Sequence, residues 1–266
     1  MNTKVSSVTT HGFTIGYFTF GTGKTPFVML PGISIKPITT LAPAVANAYN
    51  EFAEDFTVYV FNRRNDLPDG YTISDAASDT AAVLDELGIS SACVFGVSMG
   101  GMIAQVLAVN RPDLVGKLVL GSSASRLTPQ SEEIIQHFAA LVQSGDIQSL
   151  TLAFAQAVYT PTFFETCKEA ILAALADATQ ADIARFTALT KAILAFDIYA
   201  ELDKVSAPLL VIGADKDKLL GVQASVEIAQ KTGGELYICK GYGHAAYDED
   251  PDYRSRLYEF FTRKGE

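Results

Sequence analysis

Four consecutive strand-sized runs, TPFVML, FTVYVF, ACVFG and VGKLVLG, are apolar along their length and do not alternate with polar residues. Strands of that kind are covered on both faces, and they occur in parallel sheets held between layers of helix. Helical patterns separate them, at 42–53, at 74–87 with Ser74 as N-cap and Gly88 just past the end, and at 99–110. The alternation predicts an α/β fold, a mostly parallel central sheet flanked by helices with right-handed crossovers. Residues 4–30 add β structure at the start, cut by the turn signals HG and GTGK.

The rhythm breaks after Gly121. From Ser122 to about Ala207 only helical patterns occur, at 132–143, 147–158, 163–176 and 181–195, far more chain than one crossover needs. The expected organisation is a helical cap, residues 122–207, inserted into a core made of residues 1–121 and 208–266. PLLVIG resumes the strands and ELYICKG is the last of them. A final helix is predicted at 252–263, with Asp250 as N-cap and Pro251 as first helical residue. No internal repeat or low-complexity tract interrupts the chain.

The 266 residues are 48% hydrophobic and 19% charged, enough for one sizeable core. A net charge of −10 and a pI near 4.8 argue against a nucleic-acid partner, which needs a basic face to displace counterions. No apolar run has signal-peptide or membrane-spanning length, so the expected compartment is the cytoplasm, without a membrane partner. Cys93, Cys167 and Cys239 are widely spaced and odd in number, and read as inert core thiols. Nothing calls for a metal or a cofactor.

Two glycine motifs fail on inspection. GTGKT (21–25) has Phe18 where a phosphate-binding loop needs its first glycine, and a strand follows where a helix should. Gly96, Ser98 and Gly101 occupy the three glycine positions of a dinucleotide fingerprint. The second of them carries a side chain, and the following strand ends in VLGSS without the expected acid.

Gly96–Val97–Ser98–Met99–Gly100 fits G-x-S-x-G instead, a sharp strand-to-helix turn that presents a serine hydroxyl at the carboxyl edge of a sheet. A serine needs a base. Of three histidines, His11 falls in the N-terminal hairpin and His137 in the cap. His244, in KGYGHAAYDEDP, follows the last strand and emerges at the same edge as the turn. The base needs an acid to orient it, and VIGADKDKLL offers Asp215 and Asp217. Asp248, Glu249 and Asp250 read as a solvated helix start.

With these residues in view, the chain resembles the α/β-hydrolase fold superfamily, in its enol-lactonase, haloperoxidase and small-esterase branch. GVSMGGMIAQVLAVNRPDLVGKLVLGSS, PLLVIGADKD and GYGHAAYDEDP carry the resemblance. It implies a catalytic order Ser98, Asp217, His244, with Ala214 at the glycine of the family's G-x-x-D and Asp217 therefore as the acid. It also implies an oxyanion hole made by the backbone N–H groups of Met99 and Ile33. Two departures stand out. Pro31 replaces the family's loop histidine, and the D-x-R-G-x-G segment reads FNRRNDLPDG.

The expected activity is a serine hydrolase of carboxylesterase or lactonase type, cleaving a small ester or lactone. An acyltransferase, a perhydrolase, a carbon–carbon hydrolase and a receptor-like ligand-binding protein are the alternatives on the same scaffold. Phe and Tyr residues of the cap, Phe138 and Tyr159 among them, point to an apolar pocket, and Arg126 is a candidate partner for a substrate carboxylate.

Overall fold

The computed structural model describes residues 3–175 and 178–264. Its eight strands form one sheet in the order β1-β2-β4-β3-β5-β6-β7-β8. They are β1 (Lys4–Thr10), β2 (Phe13–Phe20), β3 (Thr25–Leu30), β4 (Phe56–Phe61), β5 (Ala92–Val97), β6 (Val115–Gly121), β7 (Leu209–Ala214) and β8 (Glu235–Cys239). β1 pairs with β2 and β2 with β4 in antiparallel fashion, while every pair from β4 to β8 is parallel. The apolar runs divide by alternate residues between two cores, as a sheet covered on both faces requires. Val28, Val94, Leu118 and Val211 face one core, and Phe27, Phe95, Val119 and Ile212 the other.

Helices α2 (Ile73–Glu86), α3 (Met99–Asn110) and α8 (Val222–Thr232) cover the first face. Helices α1 (Ala42–Ala48) and α10 (Tyr253–Thr262) cover the second, which an aromatic cluster of Phe27, Phe52, Phe56 and Phe261 fills. Between β6 and β7 the chain leaves the sheet for α4 (Pro129–Ser144), α5 (Ile147–Val158), α6 (Pro161–Leu175) and α7 (Gln180–Leu194). Helices α4, α5 and α7 share the first core, where Phe138, Leu150 and Phe186 pack with residues of α3 and the sheet. The two ends of the excursion meet. Arg126 and Asp197 form a lone antiparallel bridge, and the Ile198 N–H donates to the Ser125 carbonyl at 2.9 Å. Among the described residues no helix is long and apolar enough to cross a membrane.

Several element ends differ from the sequence reading, each for a local reason. α1 stops at Ala48, because the chain tightens into a 3-10 turn at Asn50–Phe52 that buries Phe52 completely. α2 is capped by Thr72, not Ser74: Thr72 accepts the Asp75 N–H while Asp75 accepts the Thr72 N–H, a reciprocal pair that Ser74 with Ala77 cannot make. α4 begins earlier than predicted, with Pro129 in its first turn and Thr128 capping the Ser131 N–H. The predicted end of the third insertion helix, Ala176, lies outside the described residues.

The last helix starts at Tyr253, after a short α9 (Ala246–Glu249) that the sequence reading missed. Asp250 does not cap it. That carboxylate is buried and accepts from the Asp252 N–H and the Arg256 guanidinium. Glu249 is not solvated either, because it takes both the N–H and the hydroxyl of Thr160. Cys93 and Cys239 are core thiols pushed by burial up to about 11 and about 12, whereas Cys167 is partly exposed on α6.

Candidate active site

Ser98 stands between the end of β5 and the start of α3 with φ of 54° and ψ of −122°. Positive φ is costly for a residue with a Cβ and persists only where the surroundings over-determine it. Here the glycines do so. A Cβ on Gly100 would lie 1.8 Å from the Leu30 carbonyl oxygen, and one on Gly96 would lie 2.5 Å from that of Gly100. Helix and strands approach too closely for any other residue, and the turn is forced sharp. The Ser98 side chain makes no capping bond to its own helix, so its hydroxyl is left for other use. Met99, the first helical residue, has an N–H with no acceptor inside the helix.

A brace behind the turn escaped sequence reasoning. The Ser123 hydroxyl donates to the Ser98 carbonyl at 2.9 Å, and fully buried Gln105 donates to Gly101 O, Ser123 Oγ and Ala124 O. One signal was available: Gln105 is the lone polar side chain in the apolar run MIAQVLAV.

Parallel pairing from β5 to β8 brings the loops after β5, β7 and β8 to one edge. The β7 loop carries Asp217 and the β8 loop His244. The His244 Nδ1 lies 2.9 Å from Asp217 Oδ2, and both side chains are almost completely shielded. The other Asp217 oxygen accepts the N–H groups of Leu219 at 2.9 Å and Leu220 at 3.0 Å. Burial opposes ionisation of this carboxyl, but the His244 charge, its hydrogen bond and the two backbone donors together outweigh it. The group is held below its ordinary value and is a carboxylate near neutrality. Asp215 points elsewhere: its Oδ1 accepts the Gly241 N–H and ties the β7 and β8 loops together.

An apolar cavity adjoins Ser98. Ile33 and Met99 line it beside the serine, Leu219 and Leu220 form one wall, and Phe138, Phe154 and Phe186 come from the inserted helices. Tyr159 is not among the lining residues. It stacks on Phe163 and donates its hydroxyl to Asp248, on the His244 side of the junction between α5 and α6. Arg126 is absent from the cavity as well. Its guanidinium pairs with Glu227 and lies 4.1 Å over the Tyr199 ring, so no charge is left over for a substrate carboxylate. Among the described residues no cluster of three or more His, Cys, Asp or Glu side chains could hold a metal ion.

Comparison with known proteins agrees with this fold. The family described as the alpha/beta hydrolase fold matches residues 26–251. The chain is 24% identical to 3-oxoadipate enol-lactonase 2 of Acinetobacter baylyi over 81% of its own length and 80% of that protein. It is 25% identical to RutD of Rhizobium rhizogenes, named as a candidate carbamate hydrolase, over 80% of its length and 86% of that protein. The crystal structure of MGS-M2, an alpha/beta hydrolase from a Medee basin deep-sea metagenome library, superposes with a TM-score of 0.88 at 20% identity, covering 98% of each chain.

Proposed function

Because the chain belongs to the alpha/beta hydrolase fold family, we propose that it is a serine hydrolase that cleaves a small carboxylic ester or lactone through an acyl-enzyme on Ser98. The observation that carries this reading is the strained Ser98 backbone, which frees the hydroxyl at the mouth of an apolar cavity. Ser91 and Ser122 also have positive φ, 46° and 40°, but of the three only Ser98 lines the cavity. The buried His244–Asp217 pair at the same sheet edge supplies the base and its orienting carboxylate. The enol-lactonase name of a relative and the small cavity favour a compact acyl group or lactone ring.

Asp217 holds the imidazole with its Nδ1 proton toward the carboxylate, so the other ring nitrogen is the one free to accept the Ser98 proton. Ser98 Oγ adds to the carbonyl carbon as that proton leaves. The resulting oxyanion is held by the N–H groups of Met99 and Ile33, each such donor being worth ~3 kcal/mol of barrier. His244 returns the proton to the departing alkoxide, and the acyl group stays on Ser98. Water then adds to the acyl-enzyme by the same steps in reverse roles. In a lactone the leaving oxygen stays tethered, and the product is one hydroxy or oxo acid.

An organophosphonate should label the protein once, on Ser98. Ser98→Ala should lose both labelling and turnover of nitrophenyl esters, read by intact mass and by absorbance. Label on another serine, or full turnover in the variant, contradicts the proposal.

A further inference from the structure

The segment that departs most from the family's pattern, FNRRNDLPDG, brings Arg63 beneath the loop that carries Ile33. Arg63 is only 9% exposed. Its Nη2 donates to the Pro31 carbonyl at 2.9 Å, and Nη1 reaches the Phe61 and Asn62 carbonyls, both at 3.4 Å. Its Nε is sealed from solvent and has no acceptor at all. Among the described residues no carboxylate pairs with this guanidinium, and burial pushes it down to about 10. A buried cation without a counter-charge is costly, and so is a buried donor without an acceptor.

Arg63 lines a second cavity, and Arg185 from α7 lines it too. Arg185 is 8% exposed and donates to Ile35 O at 2.7 Å, Asn65 Oδ1 at 3.1 Å and Asp182 Oδ1 at 3.3 Å. Arg185 thus has a carboxylate partner in Asp182, and Arg63 has only carbonyls. The remaining lining includes Phe61, Ile38 and Leu189, with no acidic side chain. A planar monoanion with an apolar tail matches that chemistry, since a guanidinium fork pairs best with a carboxylate.

This cavity adjoins the one at Ser98. Met99 is a wall of both, Gly32 lines one and Ile33 the other, and α7 sends Arg185 and Leu189 to one and Phe186 and Thr190 to the other. We propose that the Arg63–Arg185 pocket is a carboxylate-binding site set against the Pro31–Ile33 loop, which selects either an anionic arm of the substrate or a free small carboxylate. The site rests on the hydrolase reading only in the first case. In both, an occupant that draws on Arg63 acts on the loop that Arg63 holds through Pro31.

The test compares 4-nitrophenyl hydrogen glutarate with 4-nitrophenyl hexanoate, with sodium butyrate against sodium chloride at equal ionic strength as the free-anion arm. If the substrate carries the carboxylate, the wild-type kcat/KM is at least tenfold higher for the glutarate. That ratio falls toward one in Arg63→Met and Arg185→Met while a phosphonate still labels Ser98. If the ligand is a free carboxylate, butyrate but not chloride saturably raises the Tm and alters hexanoate hydrolysis, and both effects vanish in Arg63→Met. A wild-type protein with no preference between the esters and no saturable response to butyrate overturns the proposal and leaves the pocket to water. The butyrate Tm shift needs no turnover, so the free-anion arm is read even if Ser98 proves not to be the nucleophile, and its loss in Arg185→Met places the site if Arg63→Met does not fold.

Discussion

Asp217 and Asp215 are two residues apart, yet their carboxylates serve different neighbours. One is closed in by His244 and two backbone donors, the other bonds the Gly241 N–H. Asp217→Asn offers His244 a neutral amide, which neither fixes the tautomer nor balances the imidazolium. In the serine-protease template that loss is ~10⁴-fold in turnover, and a drop of several orders of magnitude in kcat is expected here, against about tenfold or less for Asp215→Asn. The same variant has a pH signature. A carboxyl held below its unfolded value stabilises the fold above the ordinary carboxylate range, and that stability is lost as pH falls through the folded value. Acid titration followed by circular dichroism should therefore show a shallower stability loss for Asp217→Asn than for the wild type, and an equal slope would assign the shift elsewhere.

At the scale of elements, the β5–α3 unit is the part on which the site depends most. Gly100 is packed against the Leu30 carbonyl so closely that a single methyl must displace α3 or β3. Gly100→Ala should cost at least about 1–3 kcal/mol by urea unfolding and should lower turnover disproportionately, because the displacement carries Met99 and Ser98 with it. An unchanged midpoint would mean that the helix slides freely on the sheet. Much of this level was legible in the sequence. Apolar runs fixed the inner strands, and α5 lies where the pattern put it, at Ile147–Val158. Helix starts were less legible, because Thr72 and Ser74 are equally good caps until one asks which has an acid three residues on. The end of the chain misled for a different reason. Asp248, Glu249 and Asp250 look like a solvated run, but Thr160 from the distant α5–α6 junction bonds Glu249, and Arg256 bonds Asp250.

Across the whole molecule, the sheet supplies the chemistry and the inserted helices supply the shape of the cavity. Phe154, half-buried on α5, narrows the space beside Ser98 without anchoring the main core. Phe154→Ala should move the preferred acyl chain of nitrophenyl esters to greater length. Each methylene newly accommodated is worth ~0.8 kcal/mol, about fourfold in kcat/KM. A chain-length profile that stays where it was would place the acyl group outside this cavity. The pocket was the least legible part of the site, since Arg126 and Tyr159 have the right chemistry but are claimed by Glu227 and Asp248. Arg63 went unread for the opposite reason: its burial depends on a loop over thirty residues earlier in the chain.

The narrow neck at Arg126 and Asp197 has an evolutionary consequence. Because the chain returns beside the point where it left, the length of the excursion between those points puts no strain on the pairing of β6 with β7. Loop-closure entropy rises only slowly with length, so longer or shorter loops between the inserted helices cost the sheet pairing little. A lineage can rewrite what the molecule recognises while inheriting unaltered the machinery that reacts with it.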